Sequence, residues 1–268
     1  MEIARFDKAH IERFLTHAKI EGWITTRSEI EFLLKSYPCG CLACIHKGLP
    51  VGFITSIRYV RSAWIGNLLV IPSCRGRGIG RLLMQSVLNV LDASACETVW
   101  LTASADGEHL YRTLGFRQID VVRRWKGAGY LLPGNGSAEY CETISKTDSA
   151  GWGDERLQIL DALAEGYRSF TSDNGFIVSS FTSGMQHIGP WGAISEVAAT
   201  ELFSRVRAVG SGACEAVLDV PATNRSATKL LVSSGFTVFG TTLLMCRGTT
   251  SGYNPDNIFA LASLGSYG

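Results

Sequence analysis

The stretch WIGNLLVIPSCRGRGIGR, Trp64–Arg81, decides how the rest of the chain is taken. Leu68, Leu69, Val70 and Ile71 form a short apolar run of the kind a buried strand shows. Pro72 closes it, because proline donates nothing to a sheet ladder. The turn Arg75-Gly76-Arg77-Gly78-Ile79-Gly80 comes next, and a helix follows with apolar positions Leu82, Leu83, Val87, Leu88 and Leu91. Glycines at a helix start let free first-turn amides converge, and the helix dipole favours an anion there. Arg75, Arg77 and Arg81 add positive charge, so a phosphate or pyrophosphate is the expected ligand.

The glycines at 76, 78 and 80 alternate, which is neither the dinucleotide spacing G-x-G-x-x-G nor a P-loop. Arg75-x-x-Gly78-x-Gly80 resembles the Arg/Gln-x-x-Gly-x-Gly/Ala signature of the GNAT acetyltransferases. About thirty residues on, after a further strand, Leu110-Tyr111-Arg112-Thr113-Leu114-Gly115-Phe116 is similar to that family's LYxxLGF helix end. The two motifs stand in the family's order. The predicted succession over residues 1–127 is β-α-α-β-β-β-α-β-α-β, that of a complete GNAT unit. The implied fold class is α/β (α+β), a mixed central sheet flanked by helices.

From Gly127 to Ser137 the composition shifts to glycine-rich and reads as a linker. A helix is expected at 154–167, then strand 175–182, helix 193–208, strand 214–220, helix 223–233 and strand 236–246. Ser233-Ser234-Gly235-Phe236 echoes Thr113-Leu114-Gly115-Phe116, and Gly189-Pro190-Trp191-Gly192-Ala193 takes the place of the glycine-rich loop without its arginine. The division is therefore 1–127, a coenzyme A-binding unit, and 128–268, a degenerate GNAT-like unit, as in bacterial two-domain members of the family.

Of 268 residues, 46% are hydrophobic, enough for one large domain or two small ones. No apolar run reaches membrane-spanning length and the N-terminus lacks a signal pattern, so a soluble, cytoplasmic protein is expected. The net charge is +1, unevenly spread: 17 Lys and Arg stand against 11 Asp and Glu up to Gly127, and the remainder is acidic. That basic first half suits a polyanionic ligand such as coenzyme A, and neither half is basic enough for nucleic acid. Cys39, Cys41 and Cys44 cluster near His46 but lack a second pair at zinc spacing; CLACI reads as a strand with packed free thiols, and no metal is expected.

The resemblance implies acetyl-CoA as donor, with its pantetheine arm along Leu68, Leu69 and Val70 and its pyrophosphate at Arg75, Gly76, Arg77, Gly78, Ile79, Gly80 and Arg81. Ser104 stands where many members have a cofactor-contacting asparagine. Tyr111 matches the tyrosine that protonates the leaving thiolate; a phenol near its ordinary pKa of about 10 is protonated at neutral pH. Some members carry a basic glutamate early on the organising strand, but that position falls close to Trp64. His17, Glu21, Glu108 and His109 are at no diagnostic position, and the general base stays unassigned. Trp23 and Asn67 are the acceptor-side candidates. The expected activity is acetyl transfer to an amine, expected to be a small molecule, in a ternary complex. The alternative is a catalytically weak acyl-CoA sensor or partner-binding protein. The oligomeric state is open.

Overall fold

The computed structural model describes residues 1–132, 142–164, 167–250 and 252–268. The first half contains β1 (Glu2–Arg5), α1 (Ile11–Ile20), α2 (Arg27–Ser36), β2 (Leu42–His46), β3 (Leu49–Arg58), β4 (Ser62–Val70), α3 (Ile79–Ala93), β5 (Thr98–Ala103), α4 (Ala105–Thr113) and β6 (Arg117–Leu131). The local reasons are those of the sequence. Asp7 accepts from the Ala9 amide at 2.9 Å and opens the turn that leads into α1. Thr26 and Glu29 cap α2 reciprocally, with the Glu29 amide donating to Thr26 Oγ1 at 3.2 Å. α1 buries Ile11, Phe14 and Ala18; α3 buries Leu83, Met84, Val87, Leu88 and Leu91.

The second half contains α5 (Glu142–Trp152), α6 (Leu157–Ala164), β7 (Arg168–Ser172), β8 (Gly175–Thr182), β9 (Met185–Ala193), α7 (Glu196–Val209), β10 (Ser211–Pro221), α8 (Arg225–Ser233), β11 (Thr237–Gly248) and β12 (Ile258–Ala260). Two expectations change. The helix read at 154–167 is the shorter α6, and a helix that was not expected, α5, precedes it across the turn that carries Asp154. That carboxylate accepts from the Ser62 amide at 2.7 Å and holds the start of β4. The stretch Gly189–Ala193 is not a loop but the end of β9, where Trp191 stacks on Phe203 at 5.3 Å. Its glycines serve packing: a Cβ on Gly189 would lie 2.0 Å from the Leu261 carbonyl oxygen. The linker expected from Gly127 is strand as far as Leu131, and 133–137 lie outside the described residues.

Among the described residues the twelve strands form one mixed sheet in the order β1-β2-β3-β4-β5-β11-β6-β10-β9-β8-β7, with β12 beside β9. Sequential strands build each end, but the centre is exchanged. β11 inserts between β5 and β6, pairing Met245 with Leu101 on one side and Leu243 with Val121 on the other. β6 in turn pairs with β10, Trp125 opposite Leu218. Position 127 lies inside β6, so each half completes the other's sheet. The larger core mixes the halves too: Trp64 and Trp100 pack edge-on against Trp152 at 5.9 and 5.8 Å. Among the described residues no helix is long and apolar enough to cross a membrane.

Candidate active site

β4 and β5 run parallel and pair only over Ser62–Trp64 and Thr98–Trp100. Beyond that the strands part. β4 loses register with β3 between Gly66 and Leu69, and Asn67 sits in the bulge at φ 53°. The gap is entered from one side by residues 262–268. Gly265 accepts from the Asn67 amide at 3.1 Å, Ser266 Oγ accepts from Asn67 Nδ2 at 3.1 Å, and Leu264 accepts from Thr102. Tyr59 OH donates to the Tyr267 carbonyl at 2.8 Å and anchors the far end.

A cavity of about 290 Å³ lies where this gap meets the second half. The first half lends it Trp23, Glu29, Asn67, Leu68, Ser104 and Tyr111; the second lends Ser180, His187, Asp219 and Thr242. Tyr111 is 8% exposed at the last turn of α4, its ring 6.1 Å from Phe116. Burial pushes its hydroxyl up to about 12, so it stays protonated at neutral pH. Ser104 is the N-terminal residue flanking α4 and makes no side-chain cap bond. Trp23 is 38% exposed in the α1–α2 loop, its ring 6.5 Å from Phe14. Asn67 is buried, its amide also donating to Thr55 Oγ1 at 2.9 Å.

Leu68 reaches the cavity, Leu69 turns into the core, and Val70 continues the strand to the glycine-arginine turn. Gly78 flanks α3 in the left-handed region, φ 76°, with no side-chain cap; Gly76 also lies there, φ 74°. Space beside both glycines is open. The first-turn amides of Ile79, Gly80 and Arg81 have no intrahelical acceptor and no side-chain cap from Gly78. Arg75 donates to the Val70 carbonyl at 3.1 Å and pairs with Glu21, Arg81 donates to Thr113 Oγ1 at 2.9 Å, and Arg77 is exposed. Ile79 is buried, and Gly80 passes close to Leu110, so the turn is locked against α4. The turn thus brings three arginines and an uncapped helix start next to Leu68, one of the residues lining the cavity.

Several cavity residues carry no sequence motif. Arg124 on β6 donates through Nε to Asp219 Oδ1 at 2.8 Å, and His187 Nε2 lies 3.9 Å from the same carboxylate. The signal at Glu29 is its place three residues after Thr26, which marks a helix cap and not a site, and His187, Asp219, Thr242 and 262–267 come from strands and a tail far apart in sequence. Of the cysteine cluster, Cys41 and Cys44 are buried and Cys39 is exposed, and burial pushes the Cys41 thiol up to about 12.

Comparison with known proteins agrees with the geometry. The family described as acetyltransferase (GNAT) matches residues 7–116, and a second, acetyltransferase (GNAT) domain, matches 144–260. A candidate acetyltransferase structure from Pyrococcus horikoshii superposes with a TM-score of 0.86 at 23% identity, covering 100% of this chain and 95% of that one. The [ribosomal protein bS18]-alanine N-acetyltransferase of Haemophilus influenzae is 26% identical over 86 residues, 31% of this chain and 59% of that protein. An uncharacterised N-acetyltransferase of Methanocaldococcus jannaschii is 30% identical over 105 residues, 35% of this chain and 46% of that protein. This chain thus spans about half the length of the curated relatives it matches. With family matches over both halves, the chain belongs to the GNAT acetyltransferase family as a tandem of two units.

Proposed function

We propose that this protein is an acetyl-CoA-dependent N-acetyltransferase acting on a small amine in a ternary complex. The carrying observation is that the uncapped start of α3 lies beside the cavity: a Cβ on Gly80 would stand 4.0 Å from Leu68, which lines the cavity together with Tyr111. The family generally uses acetyl-CoA, and the residues present fit it. Amides of residues 79–81 with Arg75, Arg77 and Arg81 would hold the pyrophosphate. Leu68, Leu69 and Val70 would pair with the pantetheine arm at the unpaired edge of β4. Bound acetyl-CoA supplies an activated acetyl group as a thioester.

The chain's own groups do the rest. The cavity holds the amine close to the β4 bulge, where orientation supplies much of the rate. Tyr111 gives its proton to the departing sulfur. The hydroxyls of Ser104, Ser180 and Thr242 can accept or donate to polar substituents of the acceptor. Walls from both halves favour a compact acceptor over a folded protein surface. The name of the Haemophilus relative keeps an N-terminal alanine of a protein as the competing acceptor class. The alternative, an acyl-CoA sensor without turnover, draws on buried Trp64 standing near the family's glutamate position. Acetyl-CoA consumption with a panel of small amines and an N-terminal-alanine peptide separates these readings. Transfer to a small amine supports the proposal. Transfer to the peptide alone changes the acceptor class, and tight coenzyme A binding without transfer favours the sensor.

A further inference from the structure

Glu29 is a cavity carboxylate with no ion pair among the described residues, and of the titratable groups facing it only His187 favours its charge. Two other charged groups in the lining, Arg124 and Asp219, are bound to each other by two bonds of 2.8 and 3.3 Å. Lysine is missing from the lining. Glu29 has only weak neutral partners: the Thr26 amide at 3.4 Å on Oε2 and Ser263 Oγ at 3.5 Å on Oε1, with Ser266 also beside it. Tyr167, Tyr267 and His187 are the other titratable groups that face it, from the strand entry before β7, the C-terminal segment and β9. A carboxylate among hydroxyls in a cavity of this size is a seat for a cation that comes from outside.

We propose that Glu29 seats the acceptor as a primary ammonium ion and takes its proton. This rests on the reading of the cavity as the acceptor site. The step balances: R–NH3⁺ gives a proton to the Glu29 carboxylate, and the freed lone pair forms the C–N bond at the thioester carbonyl. The C–S bond breaks, its sulfur takes the Tyr111 proton, and the new amide nitrogen sheds its second proton to solvent. Burial raises Glu29 above the ordinary carboxylate range, while His187 pulls it back; a raised carboxyl is a better proton acceptor near neutral pH. The acceptor class is a compact primary amine. The cavity is at the small end of ligand pockets and must also admit the thioester end of the donor.

Glu29 also stands at the third position of the α2 capping box, a place glutamine fills equally well. Glu29→Gln therefore removes the charge and keeps the helix start. The test uses full-length protein saturated with coenzyme A and titrates it with primary alkylamines and diamines of two to five carbons, with the matching alcohols as neutral controls. Acetyl transfer to the same amines is followed from pH 5 to 9. Melting temperature and coenzyme A affinity of E29Q should equal wild type. Ammonium affinity should fall tenfold or more, single-turnover transfer should fall roughly 10²-fold, and the acidic limb of the rate profile should disappear. His187→Asn should keep that limb. Wild-type binding and transfer in E29Q would overturn the role of Glu29 and leave the acetyltransferase reading intact. An acidic limb lost in His187→Asn but kept in E29Q would overturn it too. Failure of the wild type to bind any ammonium ion would overturn the seat, and failure to bind coenzyme A would sink the parent reading.

Discussion

The carbonyl oxygen of Gly265 accepts a hydrogen bond from the amide of Asn67 at 3.1 Å, across 198 positions of sequence. Through it the C-terminal segment occupies the inner end of the gap between β4 and β5, and Gly66 has no room for a side chain. A Cβ there would lie 1.9 Å from the Gly265 oxygen. Gly66→Ala must displace the segment or bend β4. The expected loss is about 1–3 kcal/mol, the scale of overpacking with backbone shift. Urea unfolding reads it, and an unchanged midpoint would mean that residues 262–268 do not lie there.

The exchanged strands make the halves interdependent. A fragment of residues 1–132 leaves the β5 edge unpaired and strips Trp152 and Tyr253 from Trp100, whose rings sit 5.8 and 5.2 Å away. Neither 1–132 nor 142–268 should unfold cooperatively alone. Refolded together they should regain the sheet and bind coenzyme A. A cooperative transition in isolated 1–132 would show that β6 can close on β5 without β11.

The proposed pyrophosphate site predicts a graded response at Gly78. Alanine introduces a left-handed, non-glycine residue without charge, and glutamate adds a carboxylate to the same strained position. Calorimetry of the full chain should show a modest loss of coenzyme A affinity for Gly78→Ala and a loss of at least about 100-fold for Gly78→Glu, the size of one unfavourable charge at a phosphate site. Equal affinities in both variants would remove the site from this loop.

The second unit should bind no coenzyme A. Only Ile194 and Ser195 link β9 to α7, where the first unit has the eight residues 71–78. The first residue of α7, Glu196, already faces that helix start, pairing with Lys229 Nζ at 3.1 Å and accepting from Ser226 at 3.3 Å. The titration should give one coenzyme A per chain. A stoichiometry of two would contradict this.

Tyr111 links stability and activity to pH in a calculable direction. Its folded pKa is raised to about 12 against about 10 when unfolded. Its contribution is fully present below pH 10 and is lost as pH rises through 12, because there the unfolded state holds fewer protons. Stability should fall across that window less steeply in Tyr111→Phe than in wild type. Single-turnover acetyl transfer should fall roughly 10²-fold in the variant with coenzyme A affinity unchanged. Equal rates would make Tyr111 a packing residue.

The fold of the first half was legible because its chemistry is local. The apolar run 68–71, Pro72 and the glycines up to Gly80 each act within one strand–turn–helix unit, and Asp7 and Thr26 cap what directly follows them. The exchange of β6 and β11 was not legible, since the apolar residues of Val121–Trp125 and Leu243–Met245 report burial and not the identity of the neighbouring strand. Gly189–Gly192 misled for a related reason: glycine serves a turn or a close backbone approach, and sequence does not distinguish the two. The cavity assembles Glu29, His187, Asp219 and 262–267 from distant segments, and none of these carries a local pattern tying it to Tyr111.

The account stands or falls on where the acetyl donor lies. A crystal structure of the full chain with acetyl-CoA tests this most directly. The account predicts the pyrophosphate on the amides of residues 79–81, the pantetheine arm along Leu68–Val70 and the acetyl group in the cavity beside Tyr111. Donor density at residues 194–196 of the second unit, or an acetyl group outside the cavity that holds Glu29 and Tyr111, would contradict it.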